Sequence, residues 1–387
     1  MPQRIDFTPF LTIAPMRREY IPAARVALSL AIPLSVLVAL GQIQLTFFAI
    51  FGAFTAIYGR HELPALRFKH QLQIGILQII CVALGLWMSA IDMNSWLKVT
   101  ICALVGGVGG IISIYLDLFP PGPLFYIFAI APVAFLPYNH EPWLSLGATG
   151  FAVFCALFTG WLGTLVGEGT NEAAVPPRPH HGLSTSEILA QGAIFAVAMF
   201  AAGAWGELSG VQNNYWAMTS AAAIMLGITA RMTVLRSIHR VYGTIAGIVV
   251  SAFFVSMSPS PWHVVVLVVV SQFYAELYIK RHYGIGVFFV TPVALLMIYL
   301  VFPTDASVLM TARIWETIIG AIVAVVAVYL VPNPEYRGQD TQAIPVLRLT
   351  RDLRRARAHA AAEQRAAEGK PGAQIRGSVS IDTGAKE

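Results

Sequence analysis

Residues Tyr215 to Gly247 read YWAMTSAAAIMLGITARMTVLRSIHRVYGTIAG, and the fold class follows from them. An apolar run with an aromatic, polar edge (Asn213, Asn214, Tyr215, Trp216) leads into a cationic turn carrying Arg231, Arg236 and Arg240. A second apolar run then opens on Gly243 and Gly247. In a bilayer, amphipathic Tyr and Trp rings favour the lipid–water boundary, arginines stay on the cytoplasmic side, and small residues four apart let helices approach closely. The stretch is expected to be a transmembrane hairpin with Tyr215 and Trp216 at the membrane surface and its arginines in the cytoplasm.

The rest of the chain agrees. Of 387 residues, 57% are hydrophobic and 12% charged, with a mean hydropathy of +0.68, a composition that belongs to membrane proteins. The net charge of +5 lies in loops and a tail beside apolar runs, so it is read as setting orientation, with membrane lipid and not nucleic acid as the partner. Cys81, Cys102 and Cys155 lie inside apolar runs without pairable or metal-ligand spacing. The first apolar run follows Arg4, Arg17 and Arg18 with no small-residue cleavage site, and is read as a retained helix.

A membrane-crossing helix needs about 20 apolar residues. Stretches of that kind start near Ile21, Leu45, Leu72, Leu97, Pro123, Trp143, Glu187, Asn214, Val241, Trp262, Gly284 and Ser307. The fold class is therefore an all-α integral membrane protein of about twelve transmembrane helices. Pro33, Gly75, Pro132, Gly227 and Pro292 inside them are tolerated in such helices. Charge fixes the parity: with the N-terminus inside, the inner segments hold Arg4, Arg17, Arg18 and Arg25, then Arg60, Arg67 and Lys69, then Arg178, then Arg231, Arg236 and Arg240, then Lys280 and Arg281, while the outer loops hold Lys98. Both termini are then cytoplasmic.

The halves resemble each other. Phe128, Pro132, Val133, Ala134 and Gly160 recur as Phe288, Pro292, Val293, Ala294 and Gly320 at an offset of 160; Phe47-Phe48-Ala49 faces Tyr215-Trp216-Ala217 and Gly75 faces Gly243 at 168. Six is even, so the repeats are parallel and not inverted. The organisation is read as a cytoplasmic N-terminus (1–20), a first six-helix repeat (21–167), a polar linker (168–186), a second repeat (187–331) and a basic tail (332–387), in which 346–368 form either a solvated segment or a helix on anionic headgroups.

No phosphate loop, catalytic nucleophile motif or metal-ligand pair occurs, and His180-His181 lies in the linker. The chain is read as a non-enzyme without cofactor or metal, and an ATP-driven pump is disfavoured. Arg313 and Glu316, in TARIWETIIG, lie one to two turns inside the last span and three apart, on one helix face. Val153 and Ala156 occupy the matching places of the first half, so the pair is not a scaffold requirement. Two readings stay open: a structural ion pair between helices, or a site in which Arg313 receives a carboxylate and Glu316 couples a proton. Glu276 is read as neutralising Lys280 and Arg281, Asp117 as reaching water, and Arg236 and Arg240 as topology determinants that also draw anions. Gly106/Gly110, Gly163/Gly167 and Gly243/Gly247 mark close helix approach.

In one ordered set of residues the chain resembles the FUSC family, the fusaric acid resistance-like proteins of the aromatic acid exporter superfamily. The set is Tyr215-Trp216-Ala217-Met218-Thr219, then Arg236, Arg240, Gly243-Thr244 and Gly247, then Tyr283, Thr291-Pro292 and Arg313 to Gly320. The resemblance covers the second half; the first looks like a diverged copy. It implies an inner-membrane transporter or efflux component for aromatic carboxylic acids, with small organic anions as substrates and a homodimer or a periplasmic adaptor as partner alternatives. Asn214 departs from the family, where many relatives have His, and a short basic tail stands in place of the large cytosolic domain of longer exporters. The leading expectation is a proton-coupled exporter of organic acids; kinship with plant malate channels keeps a gated anion channel open, and a non-transporting envelope subunit is the third alternative.

Overall fold

The computed structural model describes residues 13, 19–60, 62–135, 141–169, 184–210, 215–226, 230–302 and 306–330. The chain divides into two units, Met1–Tyr336 and Arg337–Glu387, and every described residue lies in the first. The readings made on the N-terminal arginines, Arg178, His180-His181, Asn214 and the basic tail fall outside the described residues.

Twelve α-helices follow one another, and no strand occurs among the described residues. They are α1 Tyr20–Ala39, α2 Thr46–Ala53, α3 Pro64–Ala90, α4 Ser95–Tyr115, α5 Leu124–Phe135, α6 Pro142–Leu165, α7 Thr185–Leu208, α8 Tyr215–Ile224, α9 Ala230–Ser256, α10 Pro261–Tyr278, α11 Tyr283–Val301 and α12 Ala306–Leu330. Each contains or abuts one of the expected starts. Local chemistry begins them: proline opens α3, α6 and α10, Asn94 accepts the Trp96 N–H ahead of α4, and Ser184 and Glu187 form a capping box on α7. Among the described residues eight helices are long and apolar enough to cross a membrane, and α10 is not one of them. The chain is a multi-pass α-helical membrane protein.

Three of the expected spans are short. α2, α5 and α8 have 8, 12 and 10 residues, and at 1.5 Å per residue α8 reaches about 15 Å, half of a hydrocarbon core. Every residue of α2 and of α8 is buried. Tyr215 and Trp216 are therefore not at the lipid boundary: they lie in the protein interior, with α8 enclosed by α5, α7, α9 and α12. Nor do Arg231, Arg236 and Arg240 form a turn, since α9 begins at Ala230 and carries all three in its first three turns.

Helix neighbours recur with a step of six. In the first half α6 packs on α1, α2 and α3, and α5 on α3 and α4; in the second α12 packs on α7, α8 and α9, and α11 on α9 and α10. Between the halves, α1 lies against α10 and α4 against α7. The α4–α7 contact is close because Gly107 meets the Gly192 carbonyl and Ala196. At the centre, α5 meets α8 and α2 meets α11. Aromatic rings fill that centre: Phe47 packs on Phe302, and Phe51 and Phe54 on Phe128, which in turn touches Trp216.

Candidate functional site

Two groups of buried arginines occupy the two halves, and they differ in how they are neutralised. In the first half, Arg25 of α1 and Arg67 of α3 share Glu168. Arg25 Nε lies 2.9 Å and Arg67 Nη1 3.2 Å from Glu168 Oε2, and Arg25 Nη2 donates to Oε1 at 3.2 Å. Arg25 also donates to the Ala56 carbonyl. Gly59, at φ +76°, turns the chain into α3 and leaves the space where Arg67 passes; a Cβ there would stand 2.5 Å from Arg67 Cγ. Glu168, placed by its sequence at the head of the polar linker, is thus the counter-ion of a buried triad. Beside it, Arg60 donates to the Glu276 carbonyl oxygen at 2.8 Å and lies 3.6 Å from its carboxylate and 3.5 Å from that of Glu19. Glu276, expected to neutralise its neighbours Lys280 and Arg281, does act on Lys280 and is in addition held by an arginine of the other half. Gln272 donates to it at 3.2 Å, and His70 meets Glu62 at 2.8 Å.

In the second half the acids are scarce among the described residues. Arg313 of α12 is 2% exposed and Glu316 is fully buried. They share a helix face as the spacing requires, yet form no ion pair with each other. Arg313 instead stacks its guanidinium 3.8 Å above the Trp216 ring. The ring face stabilises the cation without using its edge, and Nε and Nη1 have no hydrogen-bond partner among the described residues. Neither Glu316 oxygen, nor the Tyr215 hydroxyl, nor the Trp216 indole nitrogen has a well-formed one among the described residues, although the Trp216 backbone acts on the Glu316 carboxylate and the Tyr215 and Trp216 side chains act on each other. Leaving a buried polar group unsatisfied costs about 1–3 kcal/mol, and more when it is charged. Such a cluster asks for an explanation, and a site for a ligand is one.

The other cations face the same place. Arg240 contacts the Tyr283 hydroxyl at 3.4 Å through Nη1, and its charge acts on Arg313 together with Glu316, Tyr215 and Tyr283. Arg236 stacks 3.9 Å over the Tyr283 ring and donates to the Ala223 carbonyl at 2.7 Å, tying α9 to the end of α8. Arg313, Glu316, Tyr215, Trp216 and Arg240 therefore come together, with Tyr283 as a further member. The remaining motif residues are packing elements. A Cβ on Gly243 would lie 2.6 Å from the Gly284 carbonyl and one on Gly247 2.6 Å from both the Phe288 carbonyl and Thr291 Cβ, so these glycines close the α9–α11 seam. Thr219 and Thr291 bond carbonyls one turn back on their own helices, Pro292 is buried inside α11, and Thr244 is buried with its hydroxyl unpaired. Gly163 serves a different end from the one expected: it makes room for Glu168 and Arg25.

Sequence reasoning missed Arg25, Glu168, His239 of α9 and His282 at the N-cap of α11. Arg25 was findable, because an arginine following Ile21 inside an apolar run carries the same cost argument that singles out Arg313.

Residues 196–327, from α7 to α12, match the family described as fusaric acid resistance protein-like. The chain is similar to that family over this stretch, about a third of its length. It is also similar to an uncharacterized membrane protein, YvaC, of Bacillus subtilis strain 168, at 27% identity over 163 residues. That alignment takes in 42% of this chain and a quarter of the relative's length. No solved structure matches the chain significantly. The family match encloses the Arg313 cluster whole, and leaves the Arg25–Glu168–Arg67 triad outside it.

Proposed function

We propose that this chain is a secondary transporter of the inner membrane that exports small organic anions, aromatic carboxylates among them, with Arg313 receiving the carboxylate and Glu316 coupling its movement to protons. The observation that carries this is the stacked, buried Arg313, which among the described residues has two vacant donor nitrogens and no ion-pair partner. A carboxylate takes charge-assisted bonds from guanidinium N–H donors. With Arg240 beside Arg313, positive charge outweighs the single carboxylate of Glu316, so the cluster favours an anion. The family's description, which refers to resistance to an organic acid, points the same way.

The topology belongs to this proposal: twelve passages in two parallel repeats (21–167 and 187–331), joined by a linker and followed by a basic tail, with both termini cytoplasmic. The stepwise recurrence of helix neighbours supports the duplication. Cysteine labelling of intact cells tests the orientation, because the three native cysteines are buried. Ser186→Cys is expected to react from the cytoplasm and Met257→Cys from outside; reaction of both from one side refutes the arrangement.

Transport is tested with purified protein in proteoliposomes and labelled benzoate. Losing two charge-assisted bonds at about 1.5–3 kcal/mol each corresponds to a fall of about 100-fold or more for Arg313→Gln. Glu316→Gln is expected to keep substrate binding and lose the response to a pH gradient. Undiminished transport by Arg313→Gln refutes the assignment, and a large pH-independent current makes the protein a channel instead.

A further inference from the structure

On the outer side of the α9–α11 seam lies an open groove of about 500 Å³, within the range of small-ligand sites. His239, Tyr242 and Ala246 of α9, His282 at the N-cap of α11, and Ile285 and Phe288 of α11 line it, together with Gly243 and Gly284. Tyr242 is 65% exposed, so the groove opens on the flank of the bundle. Its lining is apolar except at one end, where the two imidazoles stand with ring centres 4.7 Å apart. His282 Nδ1 accepts the Ile285 N–H at 3.2 Å. That makes Nε2 the protonated nitrogen, a donor carried by a ring that lines the groove.

The groove adjoins the anion cluster along the chain. His239 immediately precedes Arg240 and His282 immediately precedes Tyr283, the two residues in contact at 3.4 Å inside the bundle. The wall between them is thin, since neither Gly243 nor Gly284 adds a side chain to it. In the first half Gly75 stands where Gly243 does in the second, and there Val153 of α6 fills the space beside it.

We propose that this groove is a lateral mouth, which admits small amphipathic organic acids from the bilayer and presents their acid group to Arg240 and Arg313. The ligand chemistry follows from the lining: an apolar body against Tyr242, Ala246, Ile285 and Phe288, and one polar end against the imidazoles. The proposal rests on the anion-transport reading above and adds the route.

A series of 4-alkylbenzoates, methyl to butyl, separates the two in proteoliposomes. A substrate taken from lipid gains with each methylene about the factor of four expected for moving one CH₂ out of water. Wild-type KM is expected to fall by about that factor per carbon. Ala246→Trp fills the groove without touching Arg240 or Arg313; it is expected to flatten the series and lower kcat/KM for the butyl compound about tenfold. Val249→Trp, with the same bulk on a 65% exposed position outside the groove, is expected to behave as wild type and controls for folding. An unchanged slope in Ala246→Trp, or a wild-type KM independent of chain length, overturns the lateral mouth. If Arg313→Gln transports the series as wild type does while Ala246→Trp flattens it, the mouth stands and the Arg313 assignment falls; if wild type moves no member, both fall.

Discussion

Replacing Glu168 by Gln removes the negative charge between Arg25 and Arg67, two cations that are 3% and 1% exposed. The three contacts at 2.9, 3.2 and 3.2 Å use both carboxylate oxygens. Glutamine keeps the shape but offers one oxygen and an NH₂, which meets the N–H groups of one guanidinium donor to donor. One buried arginine is then left without a counter-charge, and breaking a buried pair in this way costs about 3–5 kcal/mol. Unfolding by SDS titration in mixed micelles, followed by tryptophan fluorescence, is expected to show a loss of that size for E168Q. Replacing the whole triad with apolar residues, R25L/R67M/E168L, removes the desolvation cost with the attraction and is expected to fall within about 2 kcal/mol of wild type. An E168Q protein within about 1 kcal/mol of wild type would refute the reasoning, because the arginines would then have to be reaching water.

Gly320→Ala places a Cβ 2.5 Å from the Ala217 carbonyl and 2.6 Å from Ser220 Cβ; forcing α12 off α8 is expected to cost about 1–3 kcal/mol. Gly147→Ala, on an open helix surface, is expected to be neutral or stabilising by up to about 1 kcal/mol, and equal melting temperatures for the two variants would contradict the packing. Arg60→Met and Glu276→Gln are expected to show a coupling of about 0.5–3 kcal/mol in a double-mutant cycle; strict additivity in the same SDS titration would mean that the link between the halves is idle. Trp216→Leu removes the ring beneath Arg313, a desolvated contact of about 2 kcal/mol. About 30-fold weaker benzoate transport is expected, with Trp216→Phe between the two; an unaffected Trp216→Leu would show that the stack does not hold the guanidinium.

Apolar runs punctuated by Gly, Pro and charge placed the helices, because length and hydropathy are local properties. They could not tell which apolar segments meet lipid. Tyr215 to Ile224 reads like a lipid-facing span, yet every residue of it touches protein, and hydropathy scores both environments alike. Arg313 and Glu316 were legible because a charge in an apolar run is costly wherever the run packs. Their lack of a mutual ion pair was not, since it depends on Trp216, a residue 97 positions away whose ring captures the guanidinium. A second partner of Glu276 was hidden for the same reason: Lys280 is its neighbour in sequence and interacts with it, whereas Arg60 is its neighbour in space alone.

The crossed seating of α1 on α10 and of α4 on α7 bears on how the protein is made. When the ribosome has delivered α6, neither α1 nor α4 has met its counterpart, and Arg60 still awaits the Glu276 carboxylate. The nascent chain must wait, half-assembled, in the insertion machinery or beside it until α10 emerges. A gene split at the linker is therefore expected to yield two fragments that survive proteolysis together and not alone.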